Sequence, residues 1–288
     1  MIPNAFEYLT PQTLDEAIAM LQQYGDEAKI LSGGHSLIPM MKLRFATPDY
    51  LIDINNIPGL DYIKEEDGFL KIGSLTREVA LEDSDLIKSK YPILLDTAKM
   101  IADPQVRNLA TIGGNLAHGD AANDHPATML ALGASIVIQG PNGERTVDIN
   151  DFFQGLYTTA LQADEILTEI RIPVPAAHSG GAYQKLERKV GDYATAGVAV
   201  QVTLEGTTIV KVGIGLTNVN YAPMRAHRSE QLLTGQAISE DLMAQAGQAA
   251  SEDCSPSADL RGDEEYKRAM VAVLTKRTLN VALERAQS

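Results

Sequence analysis

Two short glycine-bearing segments hold the residues best suited to chemistry. The first is Lys29-Ile30-Leu31-Ser32-Gly33-Gly34-His35-Ser36, running on into Leu37. A strand that ends in paired glycines and then opens a helix exposes backbone N–H groups, and such groups attract an anion. An ordinary strand–helix turn that uses glycine for positive φ is spelled the same way, so this segment alone decides nothing. The second is Thr111-Ile112-Gly113-Gly114-Asn115-Leu116-Ala117-His118-Gly119-Asp120, preceded by Asp103-Pro104-Gln105-Val106-Arg107. It shows no hydrophobic period and reads as a structured loop, a class that is commonly functional inside a compact domain. Two separate glycine cradles match the two phosphates of a dinucleotide.

Other spellings point elsewhere and are weaker. Gly213-Ile214-Gly215 lies in a β-like run and lacks both the third glycine and the following helix of a dinucleotide fingerprint, so it reads as a strand feature. His35-Ser36 lacks the glycine that a nucleophile elbow needs two residues after the serine; position 38 is Ile. His118, Asp120, Asp124 and His125 have metal-ligating side chains, but their spacing fits no helix-face or tetrahedral signature. Asp124, just before His125-Pro126, is spelled as a helix N-cap.

The elements that must position these loops follow from pattern. Thr13-Leu14-Asp15-Glu16 is a capping box, with Glu16 reaching back. Leu14, Ala17, Ile18 and Leu21 share one helical face, and Gly25 stops the helix. Strands over 28–31 and 50–54 flank a helix over 37–44, a small crossover unit suited to a parallel sheet. From Leu60 the texture changes. Asp67-Gly68 and Gly140-Pro141-Asn142-Gly143 read as hairpin turns, with helical segments near 77–90, 92–101 and 124–132. Ile172-Pro173-Val174-Pro175 marks a boundary. Beyond it come strands over 181–187, 195–205 and 207–217, then helices over 239–252 and 263–286. The fold class is therefore α+β. The expected units are an N-terminal α/β subdomain (1–55), a second α+β subdomain (56–175) and a C-terminal lobe of a three-stranded antiparallel sheet plus helices (176–288).

Composition removes several functions. The 288 residues carry a net charge of −14, the wrong sign for sequence-independent nucleic-acid binding. The single cysteine, Cys254, excludes a disulfide framework and any cysteine-ligated iron–sulfur cluster within the chain. The N-terminus has no signal-peptide pattern, and no apolar run approaches the ~20 residues that span a membrane. A cytoplasmic protein without a transmembrane segment is the expectation.

With these residues in view, the sequence resembles the FAD-binding medium subunit of the molybdenum hydroxylases, of the carbon monoxide dehydrogenase medium-subunit type. The resemblance rests on Ser32-Gly33-Gly34-His35-Ser36-Leu37-Ile38-Pro39, Thr111-Ile112-Gly113-Gly114-Asn115 and the run from Lys185 to Tyr193, and it covers nearly the whole chain. Position 32 is often Ala in the family and is Ser here. The resemblance implies a two-subdomain FAD-binding fold of the PCMH type, followed by the C-terminal lobe. It further implies non-covalent FAD held by Lys29 to Leu37 and Thr111 to Asn115. Ile101 would lie against the cofactor, Asp124 would bind a polar group, Leu161 and Lys185 would line the flavin end, and Tyr193 would cover the isoalloxazine ring. Lys185 would also tune the flavin potential.

By the same resemblance, the molybdenum cofactor sits on a large subunit and two 2Fe–2S clusters on a small one, in a dimer of heterotrimers. This chain would relay electrons to an external acceptor and hold no catalytic residue beyond the flavin. A stand-alone flavin oxidase, with His35 as a covalent attachment point, and a non-enzymatic nucleotide-binding module are the alternatives.

Overall fold

The computed structural model describes all 288 residues. Its first unit is a parallel three-stranded sheet in the order β1-β3-β2, with β1 at Glu7–Leu9, β2 at Ala28–Leu31 and β3 at Tyr50–Asp53. Helix α1 (Leu14–Tyr24) crosses between β1 and β2, and α2 (Leu37–Leu43) crosses between β2 and β3. Ala17, Ile18 and Leu21 bury the inner face of α1 against Ile52 and Ile54. The cap of α1 differs in detail from a reciprocal box. Thr13 accepts from the Glu16 N–H, but Glu16 reaches past it to accept from the Gln12 N–H.

The middle of the chain builds an antiparallel five-stranded sheet in the order β4-β5-β10-β6-β7. Its strands are β4 (Ile63–Glu66), β5 (Phe69–Gly73), β6 (Ser135–Gly140), β7 (Gly143–Asp148) and β10 (Ile166–Pro173), with the small pair β8 (Phe153–Gly155) and β9 (Thr158–Thr159) between. Both sequence-predicted hairpins form. Between β5 and β6 run α3 (Glu78–Asp83), α4 (Asp85–Lys90), α5 (Pro92–Met100), α6 (Pro104–Arg107), α7 (Ile112–His118) and α8 (Asp124–Leu132); α9 (Ile149–Phe152) follows β7. The helix expected over 77–90 is two helices, because Ser84 leaves helical geometry and caps α4 by accepting from the Ile87 N–H.

The C-terminal sheet has four strands rather than three: β11 (Ser179–Leu186), β12 (Ala196–Glu205), β13 (Thr208–Thr217) and the short β14 (Met224–Arg225). A two-residue strand is too brief to show a period, which is why pattern missed it. Helices α10 (His227–Leu233), α11 (Glu240–Asp253) and α12 (Glu264–Gln287) cover one face. No helix is long and apolar enough to cross a membrane.

The other face of this sheet receives α8. Every residue of α8 is buried, as expected of a helix enclosed on all sides. Its fit explains Gly213-Ile214-Gly215: a Cβ at Gly213 would strike the Ala131 carbonyl, and one at Gly215 the Ala127 carbonyl. The two glycines are the seat of a helix laid directly on a strand. A bidentate pair, Arg285 to Asp96 at 2.6 and 3.1 Å, ties α12 to α5 beside this seam. Replacing Gly215→Ala is expected to destabilise the protein by ~1–3 kcal/mol through overpacking, read as a lowered urea midpoint with the slope unchanged.

Candidate functional site

Where the parallel unit, the middle sheet and the C-terminal sheet meet, a cavity of about 620 Å³ opens, within the range of small-molecule and cofactor sites. Both glycine segments line it, and they touch each other. A Cβ on Gly33 would stand 2.6 Å from the Leu109 carbonyl oxygen and 2.9 Å from the Thr111 nitrogen. Glycine at 33 therefore serves loop-on-loop approach, whereas Gly34 supplies positive φ (76°). The Ser32 and Thr111 hydroxyls share a hydrogen bond of 2.7 Å across the junction.

Behind the junction sits a staple that sequence reasoning missed. Asn55 Nδ2 donates to the Ser32 carbonyl at 2.9 Å, and its Oδ1 accepts from Arg77 Nη2 at 2.6 Å. Arg77 Nη1 donates in turn to the Leu109 carbonyl. One amide and one guanidinium thus hold a carbonyl from each loop. Nothing in the spacing of Ser32, Asn55, Arg77 and Leu109 announces this arrangement.

The two loops are not equivalent cradles. In the first, the N–H groups of Gly33, Gly34, His35, Ser36 and Leu37 make no hydrogen bond within the protein. In the second, the expected loop is helix α7, capped by Thr111, whose Oγ1 accepts from the Gly114 N–H. The Ile112, Gly113 and Asn115 N–H groups donate to the carbonyls of Thr76, Ser74 and Thr111. Gly113 is needed because a Cβ there would meet Ser74 at 2.5 Å. The run of uncommitted backbone N–H groups therefore lies in the first segment, while those of Ile112 to Asn115 are taken within the protein.

Most sequence-predicted site residues line the cavity: Lys29, Ile30, Ser32 to Leu37, Ile101, Thr111, Gly113, Gly114, Asn115, Asp124, Leu161, Lys185 and Tyr193. Leu31 and Ile112 do not; their side chains enter the apolar core. Val106, His118 and Asp192 line it too, from segments already singled out, and Ser74 and Glu165 join them from segments that carry no motif. Burial lowers the His118 imidazole below its usual pKa, against the pull of Asp120.

Asp124 is not an N-cap. Asn123 holds that position, and Asp124 is the first residue of α8, buried beside Lys185. Lys185 Nζ donates to Asp124 Oδ2 at 3.0 Å, the Met100 carbonyl at 2.8 Å and the Asp192 carbonyl at 3.2 Å. With three N–H donors and three acceptors the ammonium is saturated, so it offers a ligand charge but no spare hydrogen bond. Burial pushes the Asp124 carboxyl above the usual carboxylate range, opposed by Lys185 and by the Tyr183 hydroxyl.

The Tyr193 loop is held separately. Gly191, at positive φ, presses on Ala102, and Arg261 pairs with Asp192 at 2.6 Å while lying 5.5 Å from the Tyr193 ring centre. Arg188 also pairs with Asp192.

An FAD group can be tested against this geometry. Ser74 Oγ and Asn115 Oδ1, both lining the cavity, are buried without a partner in the protein. A Cβ on Gly114 would lie 2.7 Å from Thr111 Oγ1 and 3.7 Å from Ser32. Unpaired N–H groups for an anion, orphaned polar atoms and apolar walls at Ile101 and Leu161 fit a dinucleotide.

The fold and site define a flavin-binding subunit of a molybdenum-dependent oxidoreductase. The chain belongs to the family of FAD-binding domains of molybdopterin dehydrogenases, whose model matches residues 4–175, and the CO dehydrogenase flavoprotein C-terminal domain matches residues 181–282. It is similar to the carbon monoxide dehydrogenase medium chains of Hydrogenophaga pseudoflava (49% identical, 99% of each chain) and Afipia carboxidovorans (44%, 100% of each). Among solved structures, carbon monoxide dehydrogenase from Hydrogenophaga pseudoflava superposes with a TM-score of 0.97 at 50% identity, covering 99% of both chains.

Two outcomes follow from the site. Gly33→Ala is expected to force the loops apart and weaken FAD binding at least about ten-fold, since backbone cannot yield as a side chain can; titration with FAD reads it. For Asp192, Arg261 foremost and Arg188 hold the carboxyl at about 2 against burial. A depressed acid stabilises the fold above its unfolded value of ~3.9 and loses that contribution as pH falls towards the folded value. The stability gap between wild type and Asp192→Asn should therefore be constant above pH ~5 and shrink between pH ~4 and ~2, as measured by urea unfolding at each pH.

Proposed function

We propose that this chain is the electron-relaying FAD subunit of a heterotrimeric molybdenum hydroxylase. It would take electrons from the 2Fe–2S clusters of a small subunit, fed by a molybdenum-containing large subunit, and deliver them to an external acceptor. The observation that carries the reading is the run of five uncommitted N–H groups at Gly33–Leu37, facing a cavity closed by the second glycine segment. An acidic protein that binds an anionic dinucleotide needs such local donors, because its overall charge opposes the ligand.

In this reading the Gly33–Leu37 turn holds the pyrophosphate, and Ser74 and Asn115 take polar groups. Ile101 and Leu161 exclude water, and Tyr193 stands at the flavin end. The flavin supplies the redox chemistry when bound; the chain binds, orients and shields it. His35 donates from Nδ1 to the Gly33 carbonyl at 2.8 Å, which ties the imidazole to its own loop. Residues 1–55 and 56–175 would clasp the cofactor, with 176–288 as the backing lobe. Two relatives named for carbon monoxide dehydrogenase make carbon monoxide the first substrate to assay with the assembled complex.

Purified with the subunits that accompany it, the protein is expected to be yellow and to release all its FAD to the supernatant on acid precipitation. Native mass spectrometry should show two further chains, one with molybdenum and one with iron. Flavin that stays on the precipitated protein would favour the covalent oxidase alternative. A colourless complex that takes up no added FAD would overturn the flavoprotein reading.

A further inference from the structure

Asp124 reaches the cavity from the first turn of α8, and Lys185 accounts for only one of its oxygens. The other, Oδ1, accepts from the Tyr183 hydroxyl at 2.5 Å. Tyr183 lies on β11 two residues before Lys185, so both side chains leave the same face of the strand. The phenol is almost fully buried, 3% exposed, and does not line the cavity. Thr217 Oγ1 is its other polar neighbour, at 3.4 Å.

The sheet is cut to admit this hydroxyl. Gly197 on β12 is the cross-strand partner of Lys185, and a Cβ there would lie 2.6 Å from the Tyr183 oxygen and 3.0 Å from Thr217. Glycine inside a strand costs stability and packs nothing; at 197 its absent side chain is the space the hydroxyl occupies. Two side chains of β11 thus hold one carboxylate of α8, while β12 leaves room for the phenol that does so. Burial, and then Asp124, raise the Tyr183 phenol well above its ordinary pKa, so it remains a donor.

We propose that Tyr183 is a positioning residue for the cofactor site: it fixes the rotamer of Asp124, with Gly197 providing the slot, so that the carboxylate presents one orientation to the cavity. Without the hydroxyl, Asp124 keeps Lys185 but is free to turn about that single contact. The inference rests on the FAD reading above and concerns a residue that does not itself touch the ligand.

The test is a double-mutant cycle on the full chain, purified with its accompanying subunits and titrated with FAD, with absorbance and circular dichroism of the bound flavin recorded. Tyr183→Phe, which removes only the hydroxyl, should weaken FAD binding about ten-fold, the scale of a lost hydrogen bond to a charged group, and shift the flavin bands. Gly197→Ala, which fills the slot while keeping the phenol, should reproduce the same shift. In an Asp124→Ala background, which removes the acceptor altogether, Tyr183→Phe should change affinity less than about two-fold, because its only route to the ligand is gone.

A purely structural Tyr183 would lower thermal stability in both backgrounds, with additive effects and an unchanged flavin spectrum; that result overturns the proposal. Wild-type affinity and spectrum in Tyr183→Phe overturn it as well, while leaving the FAD reading intact. Wild-type protein that binds no FAD defeats the FAD reading itself, and this assignment with it.

Discussion

The structure depends on the direct contact between two backbone segments, Gly33 on one side and Leu109 to Thr111 on the other. Backbone can meet backbone at that distance only where a Cβ is missing. Once they touch, the Ser32 and Thr111 hydroxyls can pair, and the Asn55–Arg77 staple can hold a carbonyl from each side. The parallel unit and the antiparallel unit are thereby fixed at the line where the cavity opens. The same contact leaves the N–H groups of the first turn pointing where no protein atom answers them.

The C-terminal lobe acts as a back wall in this arrangement. It meets the FAD-binding part through helix α8, whose backbone rests on Gly213 and Gly215 and whose first residue, Asp124, is received by Lys185 and Tyr183. The same short helix therefore packs the two halves together and supplies a polar group to the cavity. A shift of the seam would move that carboxylate, so packing and site geometry are one constraint. Saturation of the Lys185 ammonium by Asp124, Met100 and Asp192 extends this logic to the Tyr193 loop, because one cation fixes three pieces of cavity wall.

Electrostatics divides along similar lines. A chain of net charge −14 has no general attraction for an anionic ligand, and salt screens charges more than a Debye length away. Binding must come from short-range donors that exchange their bonds to water for bonds to the ligand. The uncommitted N–H groups of Gly33 to Leu37 meet that requirement. In the second glycine segment the N–H groups of Ile112 to Asn115 are instead taken by Ser74, Thr76 and Thr111.

Much of the fold was legible in sequence because it rests on short-range rules. The cap at Thr13, the hairpins at Asp67-Gly68 and Asn142-Gly143, and the end of β10 at Pro173 are each decided within a few residues. Several readings went astray for one shared reason. Thr111 to His118 looked like a loop because two glycines and three polar residues hide a helical face, yet Thr111 caps a helix packed on Ser74. Asp124 looked like a cap because its neighbours spell one, yet its charge is claimed by a lysine 61 residues away.

The sequence by itself determined which residue types are available for an anion and a flavin, and that this chain lacks the thiolates for iron–sulfur wiring. Tertiary structure alone decided which N–H groups remain unpaired, which glycines serve contact rather than turning, and which carboxylate is held by which partner. Hydrogen-bond donors and excluded volume are shared across elements distant in the chain, and one-dimensional spacing carries no record of that sharing.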